Sequence, residues 1–587
     1  MELKIIKSCF YGFGMKNIKK NIYVGVSLPY LKQASMIIYD AKTFEMKKEF
    51  SLDESLSLGD VFSFEIEGLE EKEFLYDFLC DGNKVEFPYA TGFLKDSEGT
   101  VHYYFQKDVN PKGFENDKPL CIPMDDNVIY STHVRGFSMG DKSMKKYKGT
   151  FKALALKADY FKSFSVNALE LMPVYEFEGE NNYWGFGKAN HFAINRKYSY
   201  LGNPSFEFKE MVQTLHSKGI EVFLILQFEN NDTSYICEVA KFYVENYHID
   251  GFRFICSYTD YESIKNNPFL KDTKLFFENA KTSDFGRANG RRKNIGTCSD
   301  EFLNNARRFL KGDEDIVPFL SFAVRENSSC SIPVRFISDF RSFTLYDTVS
   351  FNKKYNEANN EENLDGTNYN YSWNCGEEGE PLKKKTLALR LRQVRNAALI
   401  TYLCQGIPRI NGGDEVLNSN FGNNNPYCQD NEIGWITWNN KKYAKDYSLF
   451  LQNLLSFRNR HKILHQNKEL MMFDYMSCKI PDVSFHSEKA FALDQTPSSR
   501  EFGVMYCGDY SKQYGKEKEN HIIVFYNMHW EERSFEIPEF KRKIDWFLLY
   551  SSDKTTDDSF DESKAVPVKE KIYKLPGRTV TVLIGRE

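Results

Sequence analysis

The chain has 587 residues, 41% hydrophobic and 16% aromatic, with 50 Phe and 35 Tyr, so it is globular and long enough for roughly two to four domains. A net charge of −5 and a pI near 6.2 exclude the basic surface that nucleic acid or an anionic membrane would need. Twelve cysteines are spread singly with no C-x-x-C pair, which points to reduced thiols rather than a zinc site or a disulfide framework.

The first residues carry Lys4, Lys7 and Lys16 without a continuous apolar segment, and no stretch approaches the length of a membrane span. A cytoplasmic location is expected. From residue 1 to about 125, short apolar runs (Ile22–Val26, Met36–Tyr39, Val61–Ile66, Phe74–Leu79) alternate with turns such as Asp81-Gly82-Asn83, a pattern that predicts an N-terminal β-sandwich. From 126 to 459 the pattern changes to strand-like runs separated by amphipathic stretches. These runs are Val128–Val134, Ala168–Met172, Glu221–Leu226, Gly251–Ile255, Lys274–Phe277, Asn294–Cys298, Val334–Ser338 and Ile407–Asn411. Eight strands with intervening helices predict a (β/α)₈ barrel. Ile236, Val239, Ala240, Tyr243 and Tyr247 fall on one face of a helix, and Leu387–Leu403 reads as another. Lys354–Glu380 reads as a long loop after the seventh strand, on the face where barrels build their sites. From 460 to 587 the chain returns to short strands (Glu501–Cys507, His521–Asn527, Trp546–Tyr550, Thr579–Ile584), predicting a C-terminal β-sandwich that covers one side of the barrel. Residues 551–559 read as a mobile loop.

Several strings in this order carry a family resemblance: "VIYSTHVRGFS" (128–138), "NNYWGFGKANHFAINRKYS" (181–199), "GFRFIC" (251–256), "FTLYDTVSFNKKYNEANNEENLDGTNYNYSWNCGEEG" (343–379) and "GGDEVLNSNFGNNNPYCQDNEIGWITW" (412–438). The chain resembles the isoamylase and glycogen-debranching branch of the α-amylase superfamily, glycoside hydrolase family 13. The run 74–93 is similar to the carbohydrate-binding-type sandwich that precedes debranching enzymes.

The resemblance implies a retaining glycosidase, which needs a carboxylate nucleophile and a carboxylic acid about 5 Å apart. The family adds a third carboxylate that stabilises the cationic transition state. Only one of the three acids is matched here. The nucleophile position, after Gly251-Phe252-Arg253-Phe254, is Ile255. The general-acid position is Glu278, at the end of the fifth strand. The third position, where the family has His-Asp-Gly, reads Phe340-Arg341-Ser342, so Arg341 puts a positive charge where a negative one is required. The third-strand motif, Asp-Val-Val-x-Asn-His in the family, reads Ile225-Leu226-Gln227-Phe228-Glu229-Asn230, losing the Asp and the sugar-contacting His. Only residues 231–249 separate this motif from the fourth-strand motif, which would leave the cleft more open. Asp339, two residues before Arg341, could present a carboxylate at the third position through a shifted register. Ile255 has no replacement in sight.

The resemblance also assigns substrate contacts to Tyr183, Trp184, Arg253, Asp414, Asn424 and Tyr427. Aromatic faces at 183 and 184 could stack on glucose or pack as core. Arg253 would pair with Glu278. The amides of 423–425 and of Asn356 and Asn359 could meet sugar or each other, and His133 and Arg135 read as an interior pair or as sugar contacts. No metal or cofactor is expected, since Gly187-Lys188 stands where relatives carry Asp-Pro. The expectation is therefore a hydrolytically inactive debranching-like pseudoenzyme. It would bind α-glucan (glycogen, amylopectin or malto-oligosaccharide) or act as the non-catalytic partner of an active debranching enzyme. Two alternatives stay open: an active α-1,6/α-1,4-glucan hydrolase with a non-standard acid set around Glu278 and Asp339, and a protein-interaction scaffold whose groove is filled by its own side chains.

Overall fold

Strands buried on both faces cannot alternate simply between apolar and polar, and the eight runs of the middle segment are mostly apolar with single polar residues within them. In a computed structural model they form a closed parallel barrel of β1 (Ile129–Thr132), β2 (Ala168–Leu171), β3 (Glu221–Phe228), β4 (Gly251–Cys256), β5 (Lys274–Glu278), β6 (Ile295–Cys298), β7 (Ile332–Arg335) and β8 (Ile407–Asn411). The structure describes all residues except 1, 2, 10, 11, 19, 29–32, 70, 71, 180, 230, 231, 257–259, 281–283, 286–292, 439, 440, 516, 517, 554 and 555. Asn230, at the expected sugar-contacting position, and residues 554 and 555 of the expected mobile loop lie outside the described residues.

Side-chain alternation divides each strand between the barrel interior and the surrounding helices. Phe252 and Phe254 of β4 pack outward into the main core, with Ile236, Val239, Ala240 and Tyr243 from the helix Thr233–Tyr247. Asp232 starts that helix by accepting the Tyr235 N–H at 2.8 Å. Inside, a lower layer is made by Ile129, Ala168, Phe223, Phe276, Val334 and Ile407. Phe223 and Phe276, with ring centroids 5.3 Å apart, occupy space that only glycine leaves free. A Cβ at Gly251 would meet Phe223 at 2.7 Å, and one at Gly296 would meet Phe276 at 2.3 Å. This apolar plug closes the barrel floor, and everything chemical lies one layer above it.

Two antiparallel sheets precede the barrel, one ordered from Lys4–Lys7 through Val61–Glu67 and Asn21–Ser27 to Gly14–Ile18, the other centred on Glu73–Cys80. They enclose Val24, Phe62, Phe64, Met36, Tyr76 and Phe78. After the barrel, the sheet Val483–His486, Glu501–Tyr506, His521–Asn527, Thr579–Arg586, Asp545–Ser551, Val566–Val568 lies beside a smaller one of Arg533–Glu536 and Ile572–Leu575. Among the described residues no helix is long and apolar enough to cross a membrane.

The seventh strand is shorter than its sequence pattern predicts. Its ladder ends at Arg335 rather than Ser338, because residues 339–342 fold into a turn in which Asp339 accepts the Arg341 N–H at 3.2 Å and Ser342 N–H bonds the Asp339 carbonyl at 3.0 Å.

The barrel is tied to the segment before it by a buried histidine. His216 lies 2.9 Å from Asp117 and 2.8 Å from Asp250. Burial alone would lower its pKa, but hydrogen bonds and charge from both carboxylates raise it to about 9. A folded pKa above the unfolded value near 6.5 stabilises the protein fully below pH 6.5, and the contribution is lost as pH rises toward 9. The melting temperature should therefore fall across that window, and His216→Gln should flatten the fall while lowering Tm at pH 6; differential scanning calorimetry of both proteins at stepped pH checks this.

Candidate active site

Two residues along each strand from the apolar floor, alternation brings a polar layer to the C-terminal face: Ser131, Glu170, Arg253, Glu278 and Arg409, with Ile225 among them. Arg253 is fully buried and is the hub of this layer. Its Nε donates to Glu278 Oε1, its Nη2 to Asp339 Oδ2 at 2.9 Å and its Nη1 to Glu170 Oε2 at 3.4 Å. Arg409 donates to the same Asp339 oxygen and stands 3.9 Å from Glu170. Arg341 completes the group from the turn after β7, donating to Glu278 Oε2 at 2.7 Å and lying 3.7 Å from Asp339. Three guanidinium groups thus face three carboxylates, all of them buried except Arg341, whose side chain is one-third exposed. The Arg253–Glu278 ion pair expected from the sequence is present.

This charge balance sets the protonation states. Burial would raise the Glu278 carboxyl, but Arg253 and Arg341 override it and hold it below the usual carboxylate range. Asp339 is buried too, yet Arg253, Arg409 and Arg341 hold it far below that range. Both carboxylates are ionised at neutral pH.

Apolar side chains pack beside them. Met172, Tyr183, Trp184 and Ile225 form a compact apolar cluster, and Ile255, Phe186, Phe340 and Tyr427 pack against it. Phe340 meets the edge of Trp184 at 5.1 Å and Phe186 at 5.6 Å, while its ring lies 5.4 Å from the Arg253 guanidinium and 5.1 Å from that of Arg341. Among the described residues, a cavity at this face bordered by Thr132, His133, Trp184, Phe340 and Asn418 measures about 60 Å³. Small-molecule pockets span about 300–1,000 Å³.

Of the residues that the resemblance assigns to substrate, Tyr183 and Trp184 are 6% exposed. Their N–H groups bond the Tyr427 carbonyl at 2.8 and 3.2 Å, and Tyr183 Oη donates to Gly434 O at 3.2 Å. Arg253, Asp414 and Asn424 are buried and make hydrogen bonds inside the protein. Asp414 accepts from Ser338 Oγ and from Leu345 N at 2.8 Å, and burial pushes its carboxyl up to about 7. Asn424 and Asn356 exchange two bonds, at 2.9 and 3.0 Å, and Asn424 also donates to Asn370 and Thr367, each at 2.8 Å. Asn359, Asn423 and Asn425 bond one another or Asp365 in the same way. These amides zip the loop after β7 to the loop after β8. Tyr427 donates its hydroxyl to Glu361. His133 accepts the Gly136 N–H at 3.0 Å, bonds Tyr198 at 3.1 Å, and is pushed by burial to about 3; Arg135 pairs outward with Asp430 at 2.8 Å.

Glu170, Arg409 and Phe186 belong to this centre and were not singled out from the sequence. The signal for the first two was available. A lone acid in "ALEL" and a lone base in "IPRI" sit inside otherwise apolar barrel strands, where each charge requires an opposite one.

No family model matches the sequence. The chain is 29% identical over 480 residues to the "Glycogen operon protein GlgX homolog" of Mycobacterium bovis, covering 67% of this chain and 66% of that protein. It is 31% identical over 435 residues to the Haemophilus influenzae protein of the same description (59% and 66%), and 28% identical over 548 residues to "Isoamylase 1, chloroplastic" of Oryza sativa subsp. japonica (71% and 68%). The chain thus spans about two thirds of the length of these relatives. Among solved structures, the catalytic module of the "glycogen-degrading pneumococcal virulence factor SpuA" superposes with a TM-score of 0.73 at 16% identity over 98% of this chain and 97% of that one. A group B streptococcal pullulanase in complex with maltotetraose gives 0.73 at 15% identity over 99% and 88%.

Removing one member of a buried ion network leaves its partners charged and unpaired. Arg253→Met should lower the unfolding free energy by about 3–5 kcal/mol, whereas Arg341→Ala, whose side chain is one-third exposed, should cost under about 1 kcal/mol. Urea unfolding of the two variants beside the unmodified protein measures both.

Proposed function

Because the chain belongs to the isoamylase and glycogen-debranching branch of the α-amylase superfamily, we propose that it serves α-glucan metabolism without hydrolysing glycosidic bonds itself. The observation that carries this reading is the capture of both Glu278 oxygens by Arg253 and Arg341. A general acid must hold a proton at the pH of the reaction, which requires a raised pKa. Glu278 is shifted the opposite way. Ile255, standing where the resemblance places the nucleophile, has no lone pair to offer an anomeric carbon. Arg341 would add positive charge next to an oxocarbenium-like transition state, and Phe340 and Trp184 take the room of the reacting sugar. Removal of a covalent nucleophile alone costs on the order of 10⁴–10⁶ in turnover.

A glucan contact would then use surfaces outside the filled centre. The role is that of a glucan-binding protein, or of a non-catalytic subunit beside an active debranching enzyme. The solved pullulanase with a similar fold holds maltotetraose, which makes a linear malto-oligosaccharide the first ligand to try.

Two assays test this together. Incubation with amylopectin should release no reducing ends above the blank, from the unmodified protein and from Glu278→Gln alike. Native electrophoresis through gels containing glycogen should retard the protein, and maltoheptaose should restore its mobility. Reducing-end release that disappears in Glu278→Gln would instead establish a hydrolase working through Glu278 and Asp339. Unchanged mobility would remove the glucan-binding half of the reading.

A further inference from the structure

The C-terminal unit displays an apolar loop whose backbone is held unusually firmly. Met471, Met472, Phe473 and Tyr475 are all exposed, yet the chain beneath them is pinned by two aspartates. Asp482 accepts the N–H groups of Met471 and Met472 at 2.7 and 2.8 Å. Asp474 accepts those of Cys478 and Lys479 at 3.0 and 2.7 Å, and the Tyr510 hydroxyl at 3.1 Å. Met472, Ser477 and Lys479 take positive φ values of 62°, 58° and 69°, an arrangement that non-glycine residues keep only when their surroundings impose it.

Two thiols meet at the base of this loop. Cys478 is half-buried within it, and Cys507 is buried at the end of the strand Glu501–Tyr506. Their sulfur atoms and a carboxylate oxygen of Asp509 lie within 4.8 Å of one another. Burial raises the Cys507 thiol above its usual range, and contact with the Cys478 thiol adds to the shift. A metal is the weaker occupant for this pair, because Asp509 is already paired with Arg542 and faces Lys518 at 3.7 Å. Two cations there oppose a third and leave only two ligands.

We propose that Cys478 and Cys507 are a redox clasp that closes to a disulfide and locks the apolar loop onto the C-terminal sheet. Bonded sulfur atoms stand about 2.05 Å apart, so Cys478 Sγ must turn away from the Ile480 carbonyl, to which it now donates at 3.1 Å. The oxidant is a small-molecule disulfide. Cys478, the accessible member, loses its proton and bonds to one sulfur, and the other sulfur leaves as a thiolate that takes up the proton. Cys507 then loses its proton and attacks the Cys478 sulfur, expelling the second small-molecule thiol. Two protein thiols are oxidised and one small-molecule disulfide is reduced to two thiols.

The test incubates the full chain with glutathione disulfide, quenches in acid, blocks remaining thiols with N-ethylmaleimide and maps peptides by mass spectrometry without reduction. The expected result is a Cys478–Cys507 linked peptide that disappears with dithiothreitol, with both thiols lost to maleimide in step. Cys507→Ala should leave Cys478 carrying glutathione, and Cys478→Ala should leave Cys507 free. Accumulation of glutathione on Cys478 in the unmodified protein, with no linked peptide, would overturn the proposal. So would zinc retained on equilibrium dialysis that shields both thiols from maleimide.

Discussion

A guanidinium group sealed at the centre of a barrel has to be met by carboxylates at hydrogen-bond distance, and this requirement governs the whole C-terminal face. Arg253 has no exposed surface and lies against three acids, Glu170, Glu278 and Asp339. With an uncompensated charge costing several kcal/mol in such a site, none of these partners can be lost cheaply. The retention of Glu278 therefore needs no catalytic explanation. Its carboxylate neutralises Arg253 from one side and Arg341 from the other.

The same electrostatics separates this centre from one built for catalysis. A site that stabilises an oxocarbenium-like transition state should carry an excess of negative charge, arranged so that one acid keeps its proton. Here Arg253, Arg341 and Arg409 balance Glu170, Glu278 and Asp339. Aspartates at 255 and 341 would have made five carboxylates against two guanidinium groups. Arg341 adds positive charge beside Glu278 and Asp339, and Ile255 and Phe340 pack against the apolar cluster of Met172, Tyr183, Trp184 and Ile225. The centre pairs its charges and packs apolar side chains beside them. The loops above it follow the same logic, for the amides of Asn356, Asn359 and Asn424 bond one another and the neighbouring backbone. Amides joined this way hold the long connections after β7 and β8 as one surface.

Several parts of this arrangement were legible in order along the chain. The mostly apolar runs marked all eight barrel strands, because strands buried on both faces carry few polar residues. The pairing of Arg253 with Glu278 was legible as well, since strand alternation at the ends of adjacent β4 and β5 points both inward. The end of β7 was not. The apolar run 334–338 continues the strand pattern, but the ladder ends at Arg335 and the chain enters a turn in which the Asp339 side chain accepts the Arg341 N–H. The protein partners of Asp414 and Asn424 were not legible for a related reason. A polar loop residue reads the same whether its partner is a ligand or another loop, and the partners here come from segments 54 and 69 residues away.

What the sequence determined by itself was the order of sheets and barrel, the family strings, and the identities of the residues at the three acid positions. These are local properties, carried by periodicity and by side-chain chemistry at fixed places. Only the tertiary structure decided what those residues do together. Glu170 from β2, Arg409 from β8 and Phe186 from the loop after β2 reach the same few ångströms as Glu278 through closure of the barrel. The shift of Glu278 and the small size of the cavity beside it follow from that convergence, because charge balance and filled volume belong to a set of residues and not to any one of them.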